Sequence, residues 1–170
     1  DAALLLMFAV QHNVMARRWF KDWWTRIVPR PIERSTYVAI SSLILLFLYW
    51  QWRPMPEIVW HVENGLGRAV LWALYFAGWA LVFYSSFVIN HFELFGLQQV
   101  WTYYLRREPE SAPFSERWIY GLVRHPLMLG FIIAFWSGPT MSLGRLLFAS
   151  VTTAWILFAI RIEERDLAAH

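Results

Sequence analysis

Apolar residues fall into long charge-free runs separated by short clusters of basic residues. Three runs without Asp, Glu, Lys or Arg, at Thr36–Trp52, Ala69–Phe92 and His125–Gly144, reach the roughly 17–25 residues that a helix needs to cross a bilayer. Ala2–Ala16 and Leu146–Ile160 are shorter runs of the same kind. The pattern predicts an all-α, polytopic transmembrane helical bundle with about five membrane helices, forming one domain over residues 1–170. The Arg53-Pro-Met-Pro-Glu57 segment reads as a proline-interrupted turn, Gly65 and Gly67 precede a long third helix, and Arg106–Pro113 reads as an exposed loop. A tight turn at Ser137-Gly-Pro-Thr140 should join the last two spans as an antiparallel helical hairpin.

Composition agrees with that reading. With 58% hydrophobic, 19% aromatic and only 16% charged residues, the chain is neither disordered nor an ordinary water-soluble domain. The twelve tryptophans suit interface belts and helix packing. With no cysteine, disulfides, thiolate metal sites and a cysteine nucleophile are excluded. The net charge of +3 is carried by arginines lying between apolar runs, which does not make the continuous basic face of a nucleic-acid binder.

Short cytoplasmic loops carry the Lys/Arg excess of a membrane protein. Arg17, Arg18, Lys21, Arg26, Arg30 and Arg34 follow the first span, Arg106, Arg107, Arg117 and Arg124 follow the third, and Arg161 and Arg165 follow the fifth. Five alternating crossings place all of these on one side and leave Arg53, Arg68 and Arg145 on the other. The chain opens on Asp1 directly before an apolar run, without the basic flank of a signal peptide, so an upstream segment is expected.

Two charged motifs carry candidate chemistry. Arg124-His125-Pro126 stands at the entry to the fourth span, where proline suits a first helical turn and unpaired N–H groups attract an anionic group. The same residues fit a positive-inside anchor ahead of a proline helix start. Glu163 and Glu164 close the fifth span, where carboxylates oppose the helix dipole. A cationic ligand would supply their partner, as would Arg161 and Arg165 at helical spacing. With the turn centred near Gly138, straight helices should leave the two motifs roughly 14 Å apart along the hairpin at about 1.5 Å per residue.

A third group consists of Gln11-His12-Asn13 in the first span and Asn90-His91-Phe92-Glu93 at the end of the third. Ionisable groups at membrane depth are costly and mark function by default, although a histidine there also serves as an interhelical tie. His61 and His170 invite no role. Nothing in the spacing of His12, His91 and Glu93 demands a metal, and no phosphate loop, nucleophile elbow or His-Glu-x-x-His pair is present.

Together, Arg124-His-Pro126, the hairpin and Glu163-Glu164 resemble the C-terminal S-adenosylmethionine-binding region of isoprenylcysteine carboxyl methyltransferases. The wider set of Gln11–Ala16, Arg34-Ser-Thr-Tyr37, Asn90–Trp101 and Arg124–Leu167 is more similar to the nurim family and its bacterial methanethiol S-methyltransferase members. The resemblance covers most of the chain and rests on the order and spacing of the motifs. It implies an integral membrane enzyme, in a bacterial inner membrane and open to the cytoplasm, that moves a methyl group from S-adenosylmethionine to methanethiol and releases dimethyl sulfide. It also implies a further helix before Asp1 and a basic tail after His170. Met128 stands where the carboxyl methyltransferases carry tyrosine, so their prenyl-substrate role does not transfer. Animal nurim lacks the paired glutamates, whose presence here favours an enzyme.

By resemblance and charge, Arg124, His125 and Pro126 are expected to frame the carboxylate end of S-adenosylmethionine, and Glu163 and Glu164 its cationic or ribose groups. A small thiol is largely protonated at neutral pH, so a base would help; His12, then His91, are the candidates. Gln11, Asn90 and Glu93 are the expected substrate-side residues. Three other readings compete: a nurim-like non-catalytic membrane protein, an NnrU-like haem-dependent isomerase with His12 or His91 as axial ligands, and a sterol-type reductase using NADPH.

Overall fold

The computed structural model describes residues 1–88, 90–107 and 123–168. The elements run α1 (Ala2–Ala16), α2 (Arg18–Trp24), α3 (Arg30–Gln51), β1 (Ile58–His61), α4 (Gly65–Val88), α5 (His91–Leu94), α6 (Leu97–Tyr104), α7 (Pro126–Trp136), β2 (Thr140–Ser142) and α8 (Leu143–Ala168). Among the described residues three helices are long and apolar enough to cross a membrane, Arg30–Gln51, Gly65–Val88 and Leu143–Arg165. Ala2–Ala16 and Pro126–Trp136 are shorter apolar helices. The helical membrane architecture is therefore present, with three spanning-length helices among the described residues where the charge-free runs suggest about five membrane helices.

Local chemistry explains the element boundaries. Pro31 lies in the first turn of α3 and Pro126 in that of α7, where a missing N–H costs nothing. Asn64 starts α4 four residues earlier than the charge-free run suggests, because its side-chain oxygen accepts from the amides of Leu66 and Gly67 at 2.8 and 3.3 Å.

The chain divides into two compact units, one holding α1, α2, α3, α5 and α6, the other β1, most of α4, α7, β2 and α8. In the first, the turn between α5 and α6 is fastened to the start of α3. The Ser35 hydroxyl donates to the Gly96 carbonyl at 2.8 Å, and the Arg34 Nε donates to the Leu94 carbonyl at 3.0 Å.

In the second unit α4 and α7 meet backbone to backbone. A Cβ on Gly130 would lie 2.8 Å from the Gly78 carbonyl oxygen, and a Cβ on Gly78 would lie 2.7 Å from the Ala134 nitrogen. Small residues allow such contact, which is a principal means of helix association in lipid.

The all-α expectation is corrected at one place. Residues after Trp136 do not make a bare tight turn, because β2 pairs antiparallel with β1, with His61 opposite Thr140 and Ile58 opposite Ser142. The Ile-Val-Trp-His sequence of β1 favours an extended strand, but four residues are too few to reveal it by periodicity.

Candidate functional site

In the second unit the hairpin of α7 and α8 brings together the two charged motifs. His125 precedes α7 in an extended conformation, φ −126° and ψ 65°, as a residue before proline should. Its Nδ1 lies 3.8 Å from Glu163 Oε2 and its Nε2 lies 3.8 Å from Glu164 Oε1. Arg124 Nη1 stands 4.0 Å from Glu164 Oε1. The expected 14 Å offset is thus overturned, and the cause is the register of the hairpin. Trp136 Nε1 donates to Thr153 Oγ1 at 2.9 Å across it. Eleven residues separate Trp136 from His125 and eleven separate Thr153 from Glu164, so the same register carries down to the charged motifs. The ribbon residues place the effective midpoint of the hairpin near Gly144, several residues beyond Gly138.

Glutamates at a helix C-terminus are unfavourable by themselves. Here Arg124 and His125 face them, which offsets that penalty locally. Arg124 and both glutamates are exposed and His125 is half-buried, so pairs at this distance contribute only about 0–1 kcal/mol each. A ligand bearing both a carboxylate and cationic or hydroxyl groups can replace them at small cost. Beyond Pro126, the first amides of α7 add donors without intrahelical acceptors.

The first unit carries the histidine groups. His12, on α1, is exposed and is held from α3. The Tyr37 hydroxyl lies 2.9 Å from both ring nitrogens and donates to the His12 carbonyl at 3.2 Å, while Ser41 Oγ lies 3.5 Å from Nδ1. Gln11 Nε2 reaches Ser41 Oγ at 3.2 Å and Met15 Sδ at 3.0 Å, while its buried Oε1 has no hydrogen-bond partner among the described residues.

His91 occupies an aromatic setting. Its ring stacks on Phe87 at 4.8 Å between centroids and touches Phe95 at 4.7 Å, and its Nδ1 lies 3.2 Å from the buried Ser86 hydroxyl. Asn90 caps α5 from the left-handed side, φ 76°. Its Oδ1 accepts from the Glu93 amide at 3.4 Å and its Nδ2 donates to Gln98 Oε1 at 2.6 Å.

Among the described residues, hydrogen bonds and ring contacts tie His12 to α3 and His91 to α4 and α5, and none joins the two histidines. Nor do three His, Asp or Glu side chains there converge as a metal-binding group. Tyr37, Ser41 and Ser86 were not singled out as site residues by the sequence. Tyr37 does fall in the Arg34–Tyr37 motif, and a hydroxyl inside an apolar run was the available signal.

Three membrane-capable helices and a charged hairpin mouth make this a helical membrane protein. Its sequence is 55% identical over 169 residues to methanethiol S-methyltransferase of Mycobacterium tuberculosis, covering 99% of this chain and 69% of that protein. It is also 55% identical to methanethiol S-methyltransferase 1 of Bradyrhizobium diazoefficiens, covering 96% of this chain and 58% of that protein. Nurim of Mus musculus is 33% identical, over 98% of this chain and 66% of that protein. The chain therefore belongs to the methanethiol S-methyltransferase family, to which nurim is related at lower identity. It spans about three fifths to two thirds of the length of these relatives. No family model and no solved structure matches it.

Proposed function

We propose that the protein transfers a methyl group from S-adenosylmethionine to methanethiol, forming dimethyl sulfide. The observation that carries the donor side is His125 set between Glu163 and Glu164 with Arg124 beside them. This donor set fits a zwitterionic nucleoside. Arg124, with the start of α7, binds the carboxylate, and Glu163 and Glu164 take the ammonium or ribose hydroxyls. Pro126 fixes the helix start against which His125 is held. When bound, S-adenosylmethionine supplies a methyl group on a sulfonium sulfur.

On the acceptor side, His12 takes the thiol proton, with His91 the second candidate, and Gln11, Asn90 and Glu93 are the substrate-side polar groups. A thiolate and a sulfonium neutralise each other as the methyl moves, so a water-poor setting between apolar helices favours the reaction. Alignment of acceptor, methyl and leaving sulfur contributes most of the remaining acceleration. We place the protein in a bacterial inner membrane with this chemistry open to the cytoplasm, which the arginine distribution supports.

The test is headspace detection of dimethyl sulfide from membranes holding the full-length protein, supplied with S-adenosylmethionine and methanethiol. Product that disappears in a Glu163→Gln, Glu164→Gln double variant supports the proposal. Absence of product from intact protein that binds S-adenosylmethionine overturns the assignment of methanethiol as acceptor.

A further inference from the structure

The segment between α1 and α3 has no part in the proposed chemistry, yet its composition is unusual. Its helix α2 reads Arg-Trp-Phe-Lys-Asp-Trp-Trp and buries none of its residues. Phe20, Trp24 and Val28, spaced by four, are half-buried on one side. The adjoining stripe of Trp19, Trp23 and Ile27 is exposed, at 62%, 48% and 65% of its surface. Such an apolar stripe is costly in water.

What covers it follows from its flanks. The stripe is bordered by Arg26 and Arg30, both exposed, and residues 17–34 carry six Lys or Arg against two acids. The same segment lies between an apolar helix and a helix long enough to span a bilayer. Tryptophan favours the headgroup level of a membrane, where an indole buries its rings and keeps its N–H in a polar layer. A short basic helix with one aromatic side lies in that plane, and its cations attract anionic lipids.

We propose that α2 and the turn after it form a headgroup-level binding surface for anionic phospholipids. Trp19, Trp23 and Ile27 enter the acyl boundary, and Arg26 and Arg30 hold lipid phosphates. The surface differs from the donor-binding hairpin in residues and in ligand, so its test is independent of the methyltransfer reading.

These 170 residues hold no cysteine, so with any cysteine elsewhere in the full-length protein replaced by serine, a spin label can be placed at one chosen position. Full-length protein carrying Trp23→Cys or Ile27→Cys is labelled and reconstituted in nanodiscs of phosphatidylcholine with phosphatidylglycerol. Labels at 23 and 27 are expected to collide more often with oxygen than with an aqueous nickel chelate, and a label at Arg26→Cys less so. Equal water accessibility at all three would leave the stripe to a protein partner and overturn the proposal. In the second arm, lipid retained by unlabelled protein is measured from mixed micelles. An Arg26→Gln, Arg30→Gln variant is expected to lose preference for phosphatidylglycerol over phosphatidylcholine by about fivefold for each arginine removed. Unchanged preference would likewise overturn it.

Discussion

The Tyr37 hydroxyl stands 2.9 Å from Nδ1 and 2.9 Å from Nε2 of His12. It also donates to the His12 carbonyl at 3.2 Å, and Ser41 Oγ lies 3.5 Å from Nδ1. Two side chains of α3 thus hold the ring of the proposed proton acceptor in one orientation.

If His12 is the base, His12→Ala lowers turnover by about a hundredfold or more and leaves S-adenosylmethionine affinity unchanged. Tyr37→Phe keeps the ring packing but loses the hydroxyl, so it lowers turnover by less and costs about 1 kcal/mol of stability. Initial rates of dimethyl sulfide formation, paired with calorimetric cofactor binding, separate the two variants. Full activity in His12→Ala would transfer the base to His91.

The contact of His125 with Glu163 and Glu164 leads to a second expectation. Because both glutamates are exposed and stand 3.8 Å from His125, replacing either with glutamine should leave thermal stability within about 1 kcal/mol. S-adenosylmethionine affinity should fall in both single variants and further in the double. A melting curve and a titration on the same preparation check this. Unchanged affinity in both singles would remove the glutamates from the donor site.

How far the sequence could anticipate this geometry depended on the range of the signal. Pro126 announced a helix start and the charge-free runs announced apolar helices, because both are local properties. The meeting of His125 with Glu163 depends on hairpin register, and the pairing of Thr140 and Ser142 with residues 58–61 in the connection is not visible in local patterns. The approach of Tyr37 to His12 joins positions 25 residues apart on different helices. Neither spacing nor composition encodes such a pairing.

Contact between α4 and α7 gives a third prediction. Val82 and the Gly78 carbonyl leave no room beside Gly130. Gly130→Ala should destabilise the protein in detergent by about 1–3 kcal/mol through overpacking. Gly130→Leu should prevent recovery of folded protein. Size-exclusion profiles and melting of both variants against Gly65→Ala provide the check, since a Cβ on Gly65 meets nothing within 4 Å.

Gly96 ties the segment that follows His91 to α3, and its substitution should be felt at the histidine. Its φ of +75° is disfavoured for a residue bearing Cβ, at about 1–2 kcal/mol. A Cβ there would also lie 2.6 Å from the Ser35 nitrogen and 2.7 Å from the Ser35 hydroxyl. The α5–α6 turn would have to move off α3, breaking the bond from Ser35 to the Gly96 carbonyl and straining that from Arg34 to Leu94. Gly96→Ala is therefore expected to lower the melting temperature more than Ser35→Ala, which removes only the hydroxyl bond. It should also shift the His91 ring resonances in a selectively labelled sample, because Phe95 packs on that ring. Melting and resonances both unchanged in Gly96→Ala would mean that the turn is not held by α3 in the way its hydrogen bonds describe.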